Sequence, residues 1–386
     1  MLFIHFYKYS SYQLIFKFLF LQKKLFLSVF FTNVVIFIRI FYNLIFFLEY
    51  NKCMSILIAI KNKFLKFHLL FVLLSMTCSI GLFAQDPIFT QFYSNPVYLN
   101  PAFSGTHHCP RIVSNYRNQW PNFSGDFITT SITYDQYVDA LKGGFGIILM
   151  SDQIAKTLNS NEASFSYSYH QHITRNFTLN FALQGTYIQK SVNRSNLTFG
   201  DMIHPRRGFV FSTADVITAV PVNLFDFSAG ILGYSDRFYI GFATHHLTEP
   251  KISLMAGSSS NSILNRRYTA HLGTEITLGS KSVYTEENET LSPSILFVKQ
   301  GDYQQLNVGL YYKKGNYVVG AWYRNVDSFI VTLGIDTKIL RMGYSYDLTT
   351  SQLGVYSGGS HEISLALKLY CAPKKKNFRT MSCPAF

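Results

Sequence analysis

Apolar and polar residues alternate along most of the chain from residue 111 onward, the period-two signature of strands with one apolar and one polar face. In 176–188, Phe177, Leu179, Phe181, Leu183 and Tyr187 share one face, and Thr178, Asn180, Ala182, Gln184 and Thr186 share the other. The segment before it sets Phe165, Tyr167 and Tyr169 against Ser164, Ser166, Ser168, His170 and His172. The polar stretch Thr174-Arg175-Asn176 between them predicts a hairpin. The alternation is still clear near the end, where Ile363, Leu365, Leu367 and Leu369 oppose Glu362, Ser364, Ala366 and Lys368. Counted in this way, the pattern predicts strands over 111–119, 127–138, 143–151, 162–173, 176–190, 222–234, 236–245, 266–277, 291–299, 303–313, 316–324, 328–337, 340–348 and 361–371, fourteen in all.

Alternation alone also fits a water-soluble sandwich, whose sheets are packed on one face and solvated on the other. Three features favour a membrane barrel: strands of roughly 9–12 residues, enough to cross a bilayer at a tilt, small Gly, Ser and Ala residues on the polar faces, and aromatics near segment ends. Unpaired strand edges are not tolerated in lipid, so such strands must close on themselves. The expected fold is all-β, a transmembrane antiparallel β-barrel of the outer membrane with about 14 strands spanning 111–371. Short turns such as Ser235-Asp236, Lys314-Gly315 and Asp327-Ser328 are expected on the periplasmic side, and the longer loops 191–221, 246–265 and 279–290 outside. A periplasmic N-terminal segment, 85–110, and a C-terminal tail, 372–386, are expected to flank the barrel.

Composition agrees with a lipid-embedded protein. Of 386 residues 48% are hydrophobic and 17% aromatic, while 14% are charged, against about a quarter in an ordinary soluble domain. The net charge of +13 is concentrated upstream: residues 1–84 carry nine Lys/Arg and one acid, net +8, and the remainder carries 25 and 20, net +5. Residues 1–53 could be read as a spanning helix, but they read better as a spurious extension translated from upstream DNA. From Met54 the chain has the parts of a secretory signal peptide: Lys61, Lys63 and Lys66, an apolar run from Phe67 to Leu74, and a cleavage site after Ala84. Only Cys109, Cys371 and Cys383 follow that site, too few for a disulfide framework; a bridge between Cys371 and Cys383 and free thiols both remain open.

Chemistry-bearing clusters are sparse. Ser360-His361-Glu362 is the one tempting catalytic group, but neighbours on a strand point to opposite faces. His107-His108-Cys109, His170-x-His172 and His245-His246 supply at most half of a zinc site each, so no metal or cofactor is expected. Gly143-Gly144-Phe145-Gly146 opens a strand with no helix after it, which excludes a dinucleotide loop and suggests a tight hairpin. Lys374-Lys375-Lys376 with Arg379 reads as a solvated end, and export excludes nucleic acid as a partner. Asp226, His271, Glu275, Glu362 and Lys368 fall on polar faces and are candidate lumen-lining residues.

The run Asp86-Pro87-Ile88-Phe89-Thr90-Gln91-Phe92-Tyr93-Ser94-Asn95-Pro96-Val97-Tyr98-Leu99-Asn100-Pro101-Ala102-Phe103-Ser104-Gly105-Thr106 resembles the PorP/SprF family of Bacteroidota outer-membrane proteins. Tyr116-Arg117-Asn118-Gln119-Trp120-Pro121, the Gly143 run, Phe238-Tyr239-Ile240-Gly241 through His246-Leu247, Gly343-Tyr344-Ser345-Tyr346-Asp347, Gly359-Ser360-His361-Glu362-Ile363 and Cys383-Pro384-Ala385-Phe386 continue the resemblance in order. It implies an integral barrel of the cell outer membrane attached to the type IX secretion system, without catalysis. The implied partners are outer-membrane lipid, periplasmic secretion components and secreted cargo bearing a C-terminal domain, such as gliding adhesins. Asn95-Pro96 and Asn100-Pro101 restrict the backbone to extended and turn conformations. They make a stiff stretch that could dock a partner, plug the lumen or cap its mouth. Arg117 and Trp120 could pair with lumen acids and with the membrane interface, respectively. The rival function is a diffusion channel or hydrophobic-solute transporter, for which the same polar residues would line a pore.

Overall fold

The computed structural model describes residues 86–370, apart from 108, 124, 194–196, 214–219, 255–261, 279–288, 326–327 and 351–353. The expected upstream extension, signal peptide and basic tail, with Cys371 and Cys383, lie outside the described residues. Cys109 is disulfide-bonded, a bridge that its isolated position in the sequence did not suggest.

Fourteen antiparallel strands close into one barrel. They are β1 (Arg111–Gln119), β2 (Phe127–Val138), β3 (Gly143–Ile154), β4 (Leu158–Thr174), β5 (Phe177–Val192), β6 (Val222–Ser235), β7 (Phe238–His245), β8 (Arg267–Thr274), β9 (Glu289–Gln300), β10 (Tyr303–Lys314), β11 (Tyr317–Arg324), β12 (Ser328–Asp336), β13 (Leu340–Thr349) and β14 (Ser360–Lys368). Each pairs with its sequence neighbours, and β1 pairs with β14 from Arg111↔Lys368 to Gln119↔Ser360, so the sheet has no free edge there. All the expected strands are present, with ends shifted by a few residues. β8 breaks after Thr274 and resumes at Ile276–Thr277. The pairs Gly273↔Ser294 and Ile276↔Leu291 bracket Pro293, which has no N–H to donate across the gap. A two-stranded ribbon, Ile203–His204 with Gly208–Phe209, sits within the β5–β6 connection.

The alternation in the sequence becomes an inside and an outside. Along β5, Phe181, Leu183 and Tyr187 are exposed on the outer face, whereas Thr178, Asn180, Ala182, Gln184 and Thr186 are buried toward the lumen. Every other strand follows suit, and Leu183 and Phe225 of the outer belt are 70% and 74% exposed. This is the reverse of a water-soluble barrel, and it suits apolar surroundings.

Strand parity fixes which connections share a rim. The near rim holds the start of β1, the end of β14 and the ends of β2, β4, β6, β8, β10 and β12, with the short turns 139–142, 175–176, 236–237, 315–316 and 337–339. The far rim holds the ends of β1, β3, β5, β7, β9, β11 and β13, with the short turns 155–157 and 301–302. The expected loop 279–290 and Asp327 of the Asp327-Ser328 turn fall largely or wholly outside the described residues. One expectation is corrected: Ser328 opens β12 at the far rim, because the single strand β11 separates it from Lys314-Gly315.

The N-terminal segment, expected to flank the barrel and to dock a partner, plug the lumen or cap its mouth, runs through the lumen, with nearly every residue from Phe89 to Thr106 buried. Its Phe92, Tyr93, Leu99, Ala102 and Phe103 form one core with Leu232, Tyr239, Leu296, Tyr311 and Trp322 of the wall. The segment holds two short turns, α1 (Pro96–Leu99) and a 3-10 turn (Pro101–Phe103), each begun by proline.

Candidate functional site: the lumen plug

The plug is held by polar anchors from one rim to the other. At the far rim the Asp86 carboxylate lies 2.6 Å from His246 Nε2 and 3.1 Å from Arg267. The other imidazole nitrogen, Nδ1, is 2.7 Å from Asp226, which also accepts from the Thr248 hydroxyl at 2.6 Å. His246 lies just past the end of β7. Burial opposes its charge, but the Asp86 and Asp226 carboxylates outweigh burial and push it up to about 9. Burial would raise the Asp86 carboxyl, but His246 and Arg267 hold it well below the usual carboxylate range.

Deeper in the lumen, Glu362 accepts the backbone N–H of Thr90 at 2.5 Å and of Gln91 at 3.0 Å. The Thr90 hydroxyl donates to Asp347 at 2.9 Å and contacts Arg117. Arg117 pairs with Glu362 at 3.4 Å and with Asp347 at 3.2 Å, and Arg324 reaches Asp347 at 3.1 Å. A buried carboxylate is tolerable only with partners of this kind.

The two Asn-Pro steps are anchors at mid-lumen. Asn95 donates to Ser131 at 3.0 Å and accepts from Thr133 at 2.9 Å. Asn100 accepts from the Ala102 N–H at 2.9 Å, capping its own turn, and its amide donates to the Ile231 carbonyl at 3.1 Å beside His271 Nε2. Pro96 and Pro101 are buried at the first position of their turns. Phe103 stacks on His271 with ring centroids 5.2 Å apart. Farther down, the Ala102 carbonyl accepts from Ser168 and Asn180, and the Gly105 N–H donates to Asp135, which pairs with Arg111 at 2.9 Å.

The glycines of β3 make room for this segment. Gly105 has φ +74°, and a Cβ on Gly144 would lie 2.5 Å from the Gly105 Cα. The Gly143-Gly144-Phe145-Gly146 run thus lets the plug approach the wall, beyond simply opening a hairpin.

The structure brings Asn95, Pro96, Asn100, Pro101, Arg117, His271 and Glu362 into one lumen network, with Asp226 at its far-rim end. Lys368 lies at the near rim with Asp336. Glu275 is half-buried there, its N–H donating to the Arg237 carbonyl. Trp120 stands apart, half-buried past β1 at the far rim with φ 60°, its ring edge-on to Phe123 and Phe127. His361 and Glu362 face opposite ways: Glu362 is buried in the lumen, and His361 meets Tyr344 and Tyr346 on the outer side. Among the described residues no three His, Cys, Asp or Glu gather as metal ligands. His170 instead meets the Ser104 carbonyl, and His172 meets Thr178. Sequence reasoning missed Asp86, Thr90, Gln91, His246, Arg267, Asp347 and Asp135. For the two wall acids, Asp135 and Asp347, inward parity was the available signal.

A closed fourteen-stranded barrel with an apolar exterior and a polar, filled lumen is an integral outer-membrane protein. The chain belongs to the type IX secretion system membrane protein PorP/SprF family, whose model matches residues 82–367. No curated protein matches it. Solved barrels resemble it distantly. The KdgM porin is 8% identical over 67% of this chain and 99% of its own, with a TM-score of 0.33. Omp33 of Acinetobacter baumannii is 9% identical over 69% and 100%, at 0.36. The CymD monoaromatic hydrocarbon channel is 10% identical over 75% and 96%, at 0.35.

Proposed function

We propose that this protein is a non-enzymatic docking barrel of the type IX secretion system. In this reading it binds periplasmic secretion components, supports the export and surface attachment of cargo bearing a C-terminal domain, and does not conduct solutes. The observation that carries the reading is the plug: with the lumen filled from Asp86 to Thr106 by the chain's own residues, the working surfaces are the rims and the outer wall. The near rim is taken to face the periplasm, since it holds both ends of the barrel and most of the short turns, as in other bacterial barrels.

The test compares secreted and cell-surface proteins of the wild type and a deletion strain by mass spectrometry. Loss of one C-terminal-domain cargo identifies a dedicated partner, and loss of all such cargo identifies a general component of the machinery. An unchanged set of exported proteins, together with a clear conductance of the purified protein in planar bilayers, would replace this reading with the channel.

A further inference from the structure

The first and last strands stay side by side past the end of their ladder. Their pairing ends at Arg111↔Lys368, and one residue farther the Leu369 N–H donates to the Pro110 carbonyl at 2.9 Å. Cys109 is the next residue on the first of these chains, and Cys371 is two residues past Leu369 on the other. Cys109 is disulfide-bonded. Its N–H donates to the His107 carbonyl at 2.7 Å, so it sits in a tight turn at the near rim, where no strand face dictates the direction of its side chain.

Four other cysteines could supply the second sulfur: Cys53, Cys78, Cys371 and Cys383. Cys53 and Cys78 precede the expected cleavage site after Ala84. Bridged cysteines have α-carbons about 4.4–6.8 Å apart, and two residues of extended chain span about 7 Å. Measured from Leu369, which already touches the residue beside Cys109, Cys371 is within that reach without any loop. Cys383 is twelve residues farther on, and doubling back over that length costs chain entropy that the nearer cysteine avoids.

We propose that Cys109 is bonded to Cys371, and that this bond closes the barrel into a covalent ring through which the chain's own N-terminal segment is threaded. The plug precedes Cys109, so it is a free end passing through the ring and not a part of it. Ladder hydrogen bonds and the Arg117–Glu362 ion pair hold the β1–β14 seam toward the far rim, and the disulfide stitches it at the near rim. A cross-link between the two ends of the barrel restricts mainly the unfolded chain. With the ring closed, the plug can leave only along the barrel axis and not through an opened seam. The bond forms by exchange with a protein disulfide met on export: the two thiols lose two protons and two electrons, and the donor disulfide takes them up and is left as a dithiol. None of this depends on the docking reading.

The test is a peptide map of the full chain. Outer membranes are treated with N-ethylmaleimide to block free thiols, and the protein is purified, digested with trypsin without reduction and read by mass spectrometry. Trypsin separates the candidates, since Cys371 falls in 369–374 and Cys383 in 380–386, while Cys109 falls in the peptide that ends at Arg111. The expected product is the Arg111 peptide linked to 369–374, lost on reduction. A link to 380–386 or to an upstream cysteine, a maleimide on Cys109, or a link between the Cys109 residues of two copies would each overturn the proposal. Heat-denatured protein should also run faster on a gel unreduced than reduced, because a cross-linked ring is more compact. Cys371→Ser should lose that shift and Cys383→Ser should keep it; if Cys371→Ser does not fold, the map of the parent protein still decides.

Discussion

The two rims of the lumen are both charged, and they are balanced differently. At the far rim two carboxylates, Asp86 and Asp226, face His246 and Arg267, and the plug itself supplies one of the four groups. At the near rim three cations share Asp336, and none of the four comes from the plug. Charge at the far rim therefore holds the chain's own segment, while charge at the near rim ties strands of the wall to one another.

Removing the plug should break the comparison most completely. A chain lacking 86–106 is expected to conduct ions in planar bilayers, whereas the intact protein is not, and a silent truncated barrel would show that the plug is not what seals the lumen. Next in size, Asp226→Ala should destabilise the barrel by about 3 kcal/mol by leaving His246 and Arg267 undercompensated. The matching near-rim change, Lys313→Gln, should stay within about 0.5 kcal/mol because two cations still serve Asp336. Urea denaturation midpoints of the two variants compare the rims directly, and equal losses would erase the asymmetry. Gly144→Val drives a side chain against Gly105 and should cost about 1–3 kcal/mol in the same measurement.

A subtler contrast comes from pH. The folded His246 is raised to about 9, from an ordinary value of about 6.5. Its contribution is therefore complete below about 6.5 and is lost as pH rises through about 9. The groups facing it are Asp86, Asp226, Arg267 and His245. Hydrogen exchange over residues 86–91 should accelerate across that interval, beyond the intrinsic base dependence seen in an unfolded peptide, while exchange near Gly105 follows the intrinsic rate. Smallest of all, Asn100→Ala removes one turn cap and should cost about 1 kcal/mol.

The wall was legible in the sequence because its physics is local. One face of each strand meets lipid and the other meets polar company, so hydropathy repeats every two residues and every strand could be located. Long-range contacts carry no such period. Thr90 and Gln91 meet Glu362 across a sequence separation of more than 270 residues, and nothing near Asp86 points to His246. The Asn-Pro steps could be marked as stiff, but whether they lay inside or outside the lumen depended on Ser131, Thr133 and His271. The glycines of β3 were visible and were assigned to a hairpin, because the backbone they accommodate is not adjacent in sequence. Rim assignment failed at Ser328, where the shortness of a turn stood in for strand parity.

Arg117 and Glu362 lie on β1 and β14, the two strands whose pairing closes the sheet, and both grip Thr90. The first stretch of the barrel unit thus fastens the last join. The cylinder is fitted around a mandrel: the charged groups that join its first and last strands are the same ones that seat the N-terminal segment.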